Sequence, residues 1–145
     1  MENSSAKEYL SRAFRIDQRI NSKLEQVQSL RALAEKASAI LTGTPSGKGN
    51  EPHRMEDTIA KIVDLEALVD NDMRQLVDTK HEIITMIKCV EPIELQTLLE
   101  LRYLNFKSWE EIAVLMHYRL RNIFVLHGKA LGEIDKIRRS EKSLH

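Results

Sequence analysis

Cysteine is nearly absent from this chain: Cys89 stands alone among 145 residues. A single cysteine excludes an intramolecular disulfide and any metal site built on a cysteine cluster. It suits a reducing, cytoplasmic setting. Its place near a helix end predicts a small buried hydrophobe. Glycine and proline are scarce, at five and three residues, and most of them fall in one patch. Long stretches are therefore left with nothing to break a helix. Neither sign of charge is in excess, with 22 Lys and Arg against 22 Asp and Glu. The chain as a whole is thus no electrostatic nucleic-acid binder, and a basic footprint has to be local. No apolar run approaches the roughly 20 residues that span a bilayer, and MENSSAKEYL has no signal-peptide core. A cytoplasmic protein with no membrane partner is expected. The histidines at 53, 81, 117, 127 and 145 show neither H-x-x-x-H nor H-E-x-x-H spacing, and no nucleophile stands beside a base. No metal, cofactor, catalytic residue or enzyme activity is expected.

What is present is helical pattern. A content of 42% hydrophobic and 30% charged residues suits an ordered, helix-rich chain. Its length fits one ordinary domain, or a small domain with an extended helical element. Ser4 and Ser5 are N-cap candidates. Beyond them Leu10, Ala13, Ile16, Ile20, Leu24, Val27, Leu30, Ala34, Ala37 and Leu41 recur by threes and fours, which predicts one stripe of one helix. From Ser5 to Leu41 that helix would be roughly 55 Å long.

The stretch TGTPSGKGNEPH, residues 42–53, predicts a loop. It superficially looks like a phosphate-cradling loop, but it lacks the order G-x-x-x-x-G-K-[ST] and has no strand before it. A second helix is predicted from Met55 to Val90. Its stripe is Ile59, Ile62, Val69, Met73, Leu76, Ile83, Ile87 and Val90, with Glu66 and Lys80 as polar members able to set register or partner choice. The two helices should fold back as an antiparallel hairpin over residues 1–90. Such a hairpin leaves apolar surface for the C-terminal part or for a second copy, and a homodimer is the expected assembly.

Glu91-Pro92 separates the second helix from a third, Ile93 to Leu104. Asn105, Phe106 and Lys107 then form a turn. Ser108 caps a helix with Glu111 three residues on, a capping box. Ile112, Leu115 and Met116 are expected inward, Trp109 in the core, and Ala113 where two helices cross closely. His117 occupies the place usually given to a left-handed Gly. A last helix from Arg119 to about Ile137 turns Ile123, Leu126, Ala130, Ile134 and Ile137 inward. Residues 91–145 thus read as a three-helix helix-turn-helix domain, and the fold class expected is all-α: hairpin first, helix-turn-helix second.

The order S-W-E-E-I-A, a short turn, then a helix ending in K-A-L resembles region 4 of bacterial primary sigma factors and their phage-encoded relatives. AKEYLSRAFRIDQRINSKLEQVQSLR, HRMEDTIAKIVDLE and LLELRYLNFKSWEEIA widen the likeness. They resemble the sigma-factor-like, or ArpU-like, transcriptional regulators of phages and prophages. That resemblance implies a protein that binds double-stranded DNA or host RNA polymerase and controls late or packaging-related genes. In it the last helix enters the major groove.

The chain departs from region 4 where bases are read. The matching positions are Leu120, Arg121, Phe124 and Val125, of which Arg121 alone has a group for bidentate contact with guanine. Helical spacing gathers Arg121, Val125, Lys129 and Lys136 on the outward face, with Asn122 beside them and Leu120 and Phe124 at its edge. From Arg119 to His145 seven basic residues stand against three acidic ones, a modest phosphate footprint. An ordinary solvated helix face is the plainer reading of the same charges. The DNA-contacting set read from the sequence is Lys107, Ser108, Arg119, Arg121, Asn122, Val125 and Lys129. The alternative is a protein-interaction module that docks a partner through Leu120, Phe124 and Val125.

Overall fold

The computed structural model describes residues 2–43 and 51–143. Every regular element among them is a helix: α1 (Glu2–Leu10), α2 (Arg12–Gly43), α3 (Glu51–Ile87), α4 (Ile93–Tyr103), α5 (Trp109–Met116) and α6 (Leu120–Ser143). The loop expected over residues 42–53 lies mostly outside the described residues. At its edges the chain is already helical, with Pro52 in the first turn of α3, where a missing N–H costs no helical bond.

Ser11 divides the first expected helix in two. Its hydroxyl donates to the Lys7 carbonyl at 2.6 Å, and Arg12 Nε donates to the Tyr9 carbonyl at 2.9 Å. Side chains that take carbonyls of the preceding turn bend a helix without ending it. The backbone ladder continues through Ser11, from its N–H to Lys7 and from Arg15 N–H to its carbonyl.

The chain forms two compact units, one of Met1–Arg15 with Leu76–His145, the other of Ile16–Gln75. A division after residue 90 therefore does not describe the packing. In the first unit one core joins Ala6, Leu10 and Ala13 to Ile83, Met86, Ile87 and Val90. Leu95, Leu99 and Tyr103 of α4 and Ala130, Leu131 and Ile134 of α6 complete it. The physical reason is area: the apolar faces of α4 and α6 are covered by α1 and by the end of α3. Cys89, expected to be buried, is exposed. α3 ends at Ile87, and Val90 rather than Cys89 turns back into the core.

In the second unit α2 and α3 run antiparallel. Arg19 and Lys23 both reach Asp72, Arg19 also donates to Gln75 at 3.2 Å, and Arg31 meets Glu66 at 3.2 Å. Partner numbers fall as α2 numbers rise. On α3 the inward positions are Met55, Thr58, Ile62, Leu65, Val69 and Asp72. Their strict alternation of three and four is the spacing of a coiled-coil seam. Three residues expected in the seam lie outside it: Leu24, Ile59 and Met73 are 41%, 50% and 50% exposed. Glu66 is also on the flank, where Arg31 holds it. Lys80, in the first unit, lays its ammonium 4.8 Å from the Phe106 ring.

The polar pair of the seam is instead Lys23 with Asp72. A buried charge is tolerated only with a partner, and α2 supplies one opposite Asp72. Removing one member strands the other. Asp72→Ala is therefore expected to lower stability by about 2 kcal/mol, while Lys23→Leu with Asp72→Leu should be neutral or stabilising. Urea midpoints of the three chains check this; a double variant weaker than Asp72→Ala would contradict it.

Candidate nucleic-acid interface

The turn after α4 is held from both sides. Asn105 N–H donates to the Glu100 carbonyl and Lys107 N–H to the Leu101 carbonyl, each at 3.0 Å. Phe106 takes a left-handed conformation, φ 57°, pinned by Phe14 edge-on at 5.5 Å. Ser108 then caps α5: its Oγ accepts from Glu111 N–H at 3.2 Å. The hydroxyl proton goes to Glu111 Oε1, also at 3.2 Å. Lys107 lies 3.8 Å from the same carboxylate. Two residues read as DNA contacts, Lys107 and Ser108, thus have local partners on Glu111.

α5 stops at His117, whose φ of 59° and ψ of 40° are left-handed as expected. Tyr118 N–H donates to the Ala113 carbonyl at 3.0 Å and His117 N–H to that of Val114 at 3.3 Å. This is the Schellman pattern, which satisfies the last carbonyls of a helix. The Glu94 carboxylate near Tyr118, next in the turn, raises the phenol's pKa. His117 is exposed, so its side chain brings no packing to offset its backbone strain. His117→Gly is expected to stabilise the fold by about 1 kcal/mol, read as a higher denaturant midpoint; a lower midpoint would show that the imidazole has a structural role.

α4, α5 and α6 meet around Leu98, Ile112 and Ile123, all fully buried, with Leu101, Trp109, Ala113, Met116 and Leu126 packed on them. Leu115, expected inward, is 55% exposed. Trp109, Ala113 and Met116 step toward α6, whereas Leu115 falls in line with Ser108 and Glu111 on the other side of α5.

Trp109 joins that core as expected. Its ring meets His127 edge-on at 4.5 Å and Phe124 at 5.5 Å, and the Arg102 guanidinium lies 4.3 Å from its centre. Arg102 also donates to the Lys107 carbonyl at 2.9 Å. His127 is buried among these groups, 2.6 Å from the Tyr103 hydroxyl through Nε2. Burial above all, then the nearby cations Lys7 and Arg102, drives its pKa down to about 4. It is neutral at pH 7, so the Tyr103 O–H donates to Nε2 and the ring proton sits on Nδ1. Burial pushes the Tyr103 phenol up to about 12, which keeps that donor protonated. Sequence reasoning passed over His127 as one of several scattered histidines. The available signal was its register, four residues after Ile123 and three before Ala130.

The opposite side of α6 faces solvent. Arg119, Arg121, Asn122 and Lys129 are exposed, as are Leu120 at 37%, Phe124 at 49% and Val125 at 55%. Arg121, Val125 and Lys129 follow one another every fourth residue along one line. Gly128 and Gly132 extend this open face: a Cβ at either position would meet nothing within 4 Å. From Arg119 to Gly132 there is no acidic residue. Farther along, Lys136 bonds Glu133 at 3.2 Å. Arg138 donates to the Ser5 carbonyl and hydroxyl and covers the Tyr9 ring, tying α6 to α1. Of the seven basic residues counted from the sequence, 119, 121 and 129 thus face solvent on the acid-free stretch, 136 is paired with Glu133, and 138 is structural.

Among the described residues no group of His, Cys, Asp and Glu could hold a metal ion, and no helix is long and apolar enough to cross a membrane. No family model, curated protein or solved structure matches the chain.

Proposed function

We propose that this protein is a transcriptional regulator of the phage and prophage kind, cytoplasmic, that grips double-stranded DNA with the outward row of α6. One observation carries the reading: the outward face of the first half of α6 is exposed, holds Arg121, Asn122 and Lys129 with Arg119 just ahead of the helix, and has no acid until Glu133. The helix precedes that row with a capped α5 and a left-handed turn, the arrangement in which a second helix is presented to the major groove. Arg121 suits the O6 and N7 acceptors of guanine, Asn122 the N6 donor and N7 acceptor of adenine, and Val125 a thymine methyl. Arg119 and Lys129 suit phosphates. The likeness of S-W-E-E-I-A and its surroundings to sigma region 4 supports the same role.

Sigma-like promoter choice does not follow. Leu120, Phe124 and Val125 replace the polar base-reading groups of that family. Their exposure favours a second role for the same helix, contact with a protein such as host RNA polymerase. The two roles are compatible on one helix, since one line of side chains carries the cations and its edge carries Leu120 and Phe124. Fluorescence anisotropy with labelled duplex DNA, titrated with salt, tests the first role. Binding that weakens steeply as salt rises is expected; binding indifferent to salt would exclude this row as the contact. For the second role, Phe124→Asp should lose capture of RNA polymerase while keeping its helical circular dichroism, and unchanged capture would remove it.

A further inference from the structure

Two surfaces of this chain are exposed, apolar and opposite in charge. The first is one flank of the α2–α3 hairpin. The Arg31–Glu66 ion pair at 3.2 Å marks that flank. Leu24 stands seven residues, or two turns, before Arg31; Met73 and Ile59 stand seven after and seven before Glu66. Leu24, Ile59 and Met73 therefore share the flank, with Val63 and Asp70 between them on α3, and all five are exposed. Ile59, Val63 and Met73 sit in an acidic helix: α3 carries nine acidic side chains against four basic ones. On the flank itself Glu66 and Asp70 face one cation, Arg31, which Glu66 already holds. The second surface is the α6 row, where Leu120, Phe124 and Val125 alternate with Arg119, Arg121 and Lys129.

We infer that a second copy of this chain docks its α6 row onto the acidic flank of the hairpin. Each surface offers apolar side chains that water solvates poorly. The charges beside them, Glu66 and Asp70 on one and Arg119, Arg121 and Lys129 on the other, attract rather than repel and set which surface meets which. Because the contact joins two different surfaces, it is heterologous, and copies joined by it either close into a ring or add head to tail. The contact covers the row proposed to hold DNA, so DNA competes for it. That competition rests on the DNA reading; the self-association does not.

Sedimentation velocity of the full chain without DNA tests the docking. The average mass is expected to climb with concentration above that of a monomer, and to fall as salt is raised from about 50 to about 500 mM, where charge attraction is screened. Met73→Lys spoils the flank and Val125→Glu spoils the row, and each variant alone should sediment as a monomer. Mixed one to one they should form a dimer and stop there, because one intact flank meets one intact row. Val63→Lys and Phe124→Glu form an independent pair with the same expectation, and circular dichroism verifies the helices of all four. A wild-type chain that stays monomeric at about 100 µM, where weak specific contacts already populate, would overturn the docking. So would a mixture that stays monomeric, or a Val125→Glu chain that assembles like wild type. Excess duplex DNA should return the wild-type assembly to monomers. Assembly that persists on a chain saturated with DNA, or assembly of a chain with no DNA affinity, leaves the docking standing and removes the DNA reading of the row instead.

Discussion

Acidification from pH 7 to pH 4 is expected to weaken the fold through His127 by up to about 3 kcal/mol. In the unfolded chain the imidazole takes up its proton near pH 6.5; in the fold it does so near 4. Between those values the unfolded chain binds a proton that the folded chain refuses, so acid pulls the equilibrium toward unfolding. Above about pH 7 neither state is protonated there, and the contribution is flat. The cause is structural: a cation at this position would sit buried against Trp109 and Tyr103, near Lys7 and Arg102, and its Nε2 would no longer accept the Tyr103 hydroxyl. Carboxylates titrate in the same range, so the decisive quantity is the difference between wild type and His127→Gln, whose amide oxygen still accepts from Tyr103. Urea unfolding at pH 7, 6, 5 and 4.5 should give a shallower acid slope for the variant. Equal slopes would show that His127 is not held neutral, and an imidazole chemical shift moving near pH 6.5 would show it directly.

Arg121→Ala should weaken DNA binding at a preferred sequence by about 1–3 kcal/mol and flatten the preference at one base pair. Lys129→Ala should act differently. It removes a phosphate contact, so all sequences lose affinity together and the slope of binding against salt drops by about one. The two side chains stand eight residues apart on one line of α6, both exposed, so neither change disturbs the core around Ile112 and Ile123. Competition binding with specific and random duplexes separates the two effects. Equal loss on both duplexes for Arg121→Ala would move it from base reading to phosphate contact.

Much of this was legible in the sequence because it rests on local rules. Ser108 and Glu111 cap α5 as their spacing predicts, and His117 turns left-handed because a helix needs such a residue at its end and His tolerates it. The all-helical class followed from long stripes without Gly or Pro. What was illegible depends on partners distant in the chain. Hydrophobicity assigned Met73 to the hairpin seam, but Asp72 takes the place because Lys23, 49 residues earlier, neutralises it. Leu24 lost its place to Lys23 for the same reason. Leu10 opens a stripe that reads as part of the hairpin, yet its core also includes α4 and α6, a relation that periodicity along one helix cannot express. His127 stayed hidden because a polar residue on an apolar face is explained only by its donor, Tyr103. The exposed face of α6 is legible for the opposite reason: side chains that touch solvent are placed by helical register alone.

The claim on which the rest depends is that the Arg119–Lys129 row of α6 binds duplex DNA. The most direct measurement is an electrophoretic shift with DNA from upstream of the protein's own operon, at low and at moderate salt. A shift at micromolar protein in low salt, weakened at moderate salt and reduced by Arg121→Ala, is the expected result. No shift at micromolar protein in low salt would contradict it.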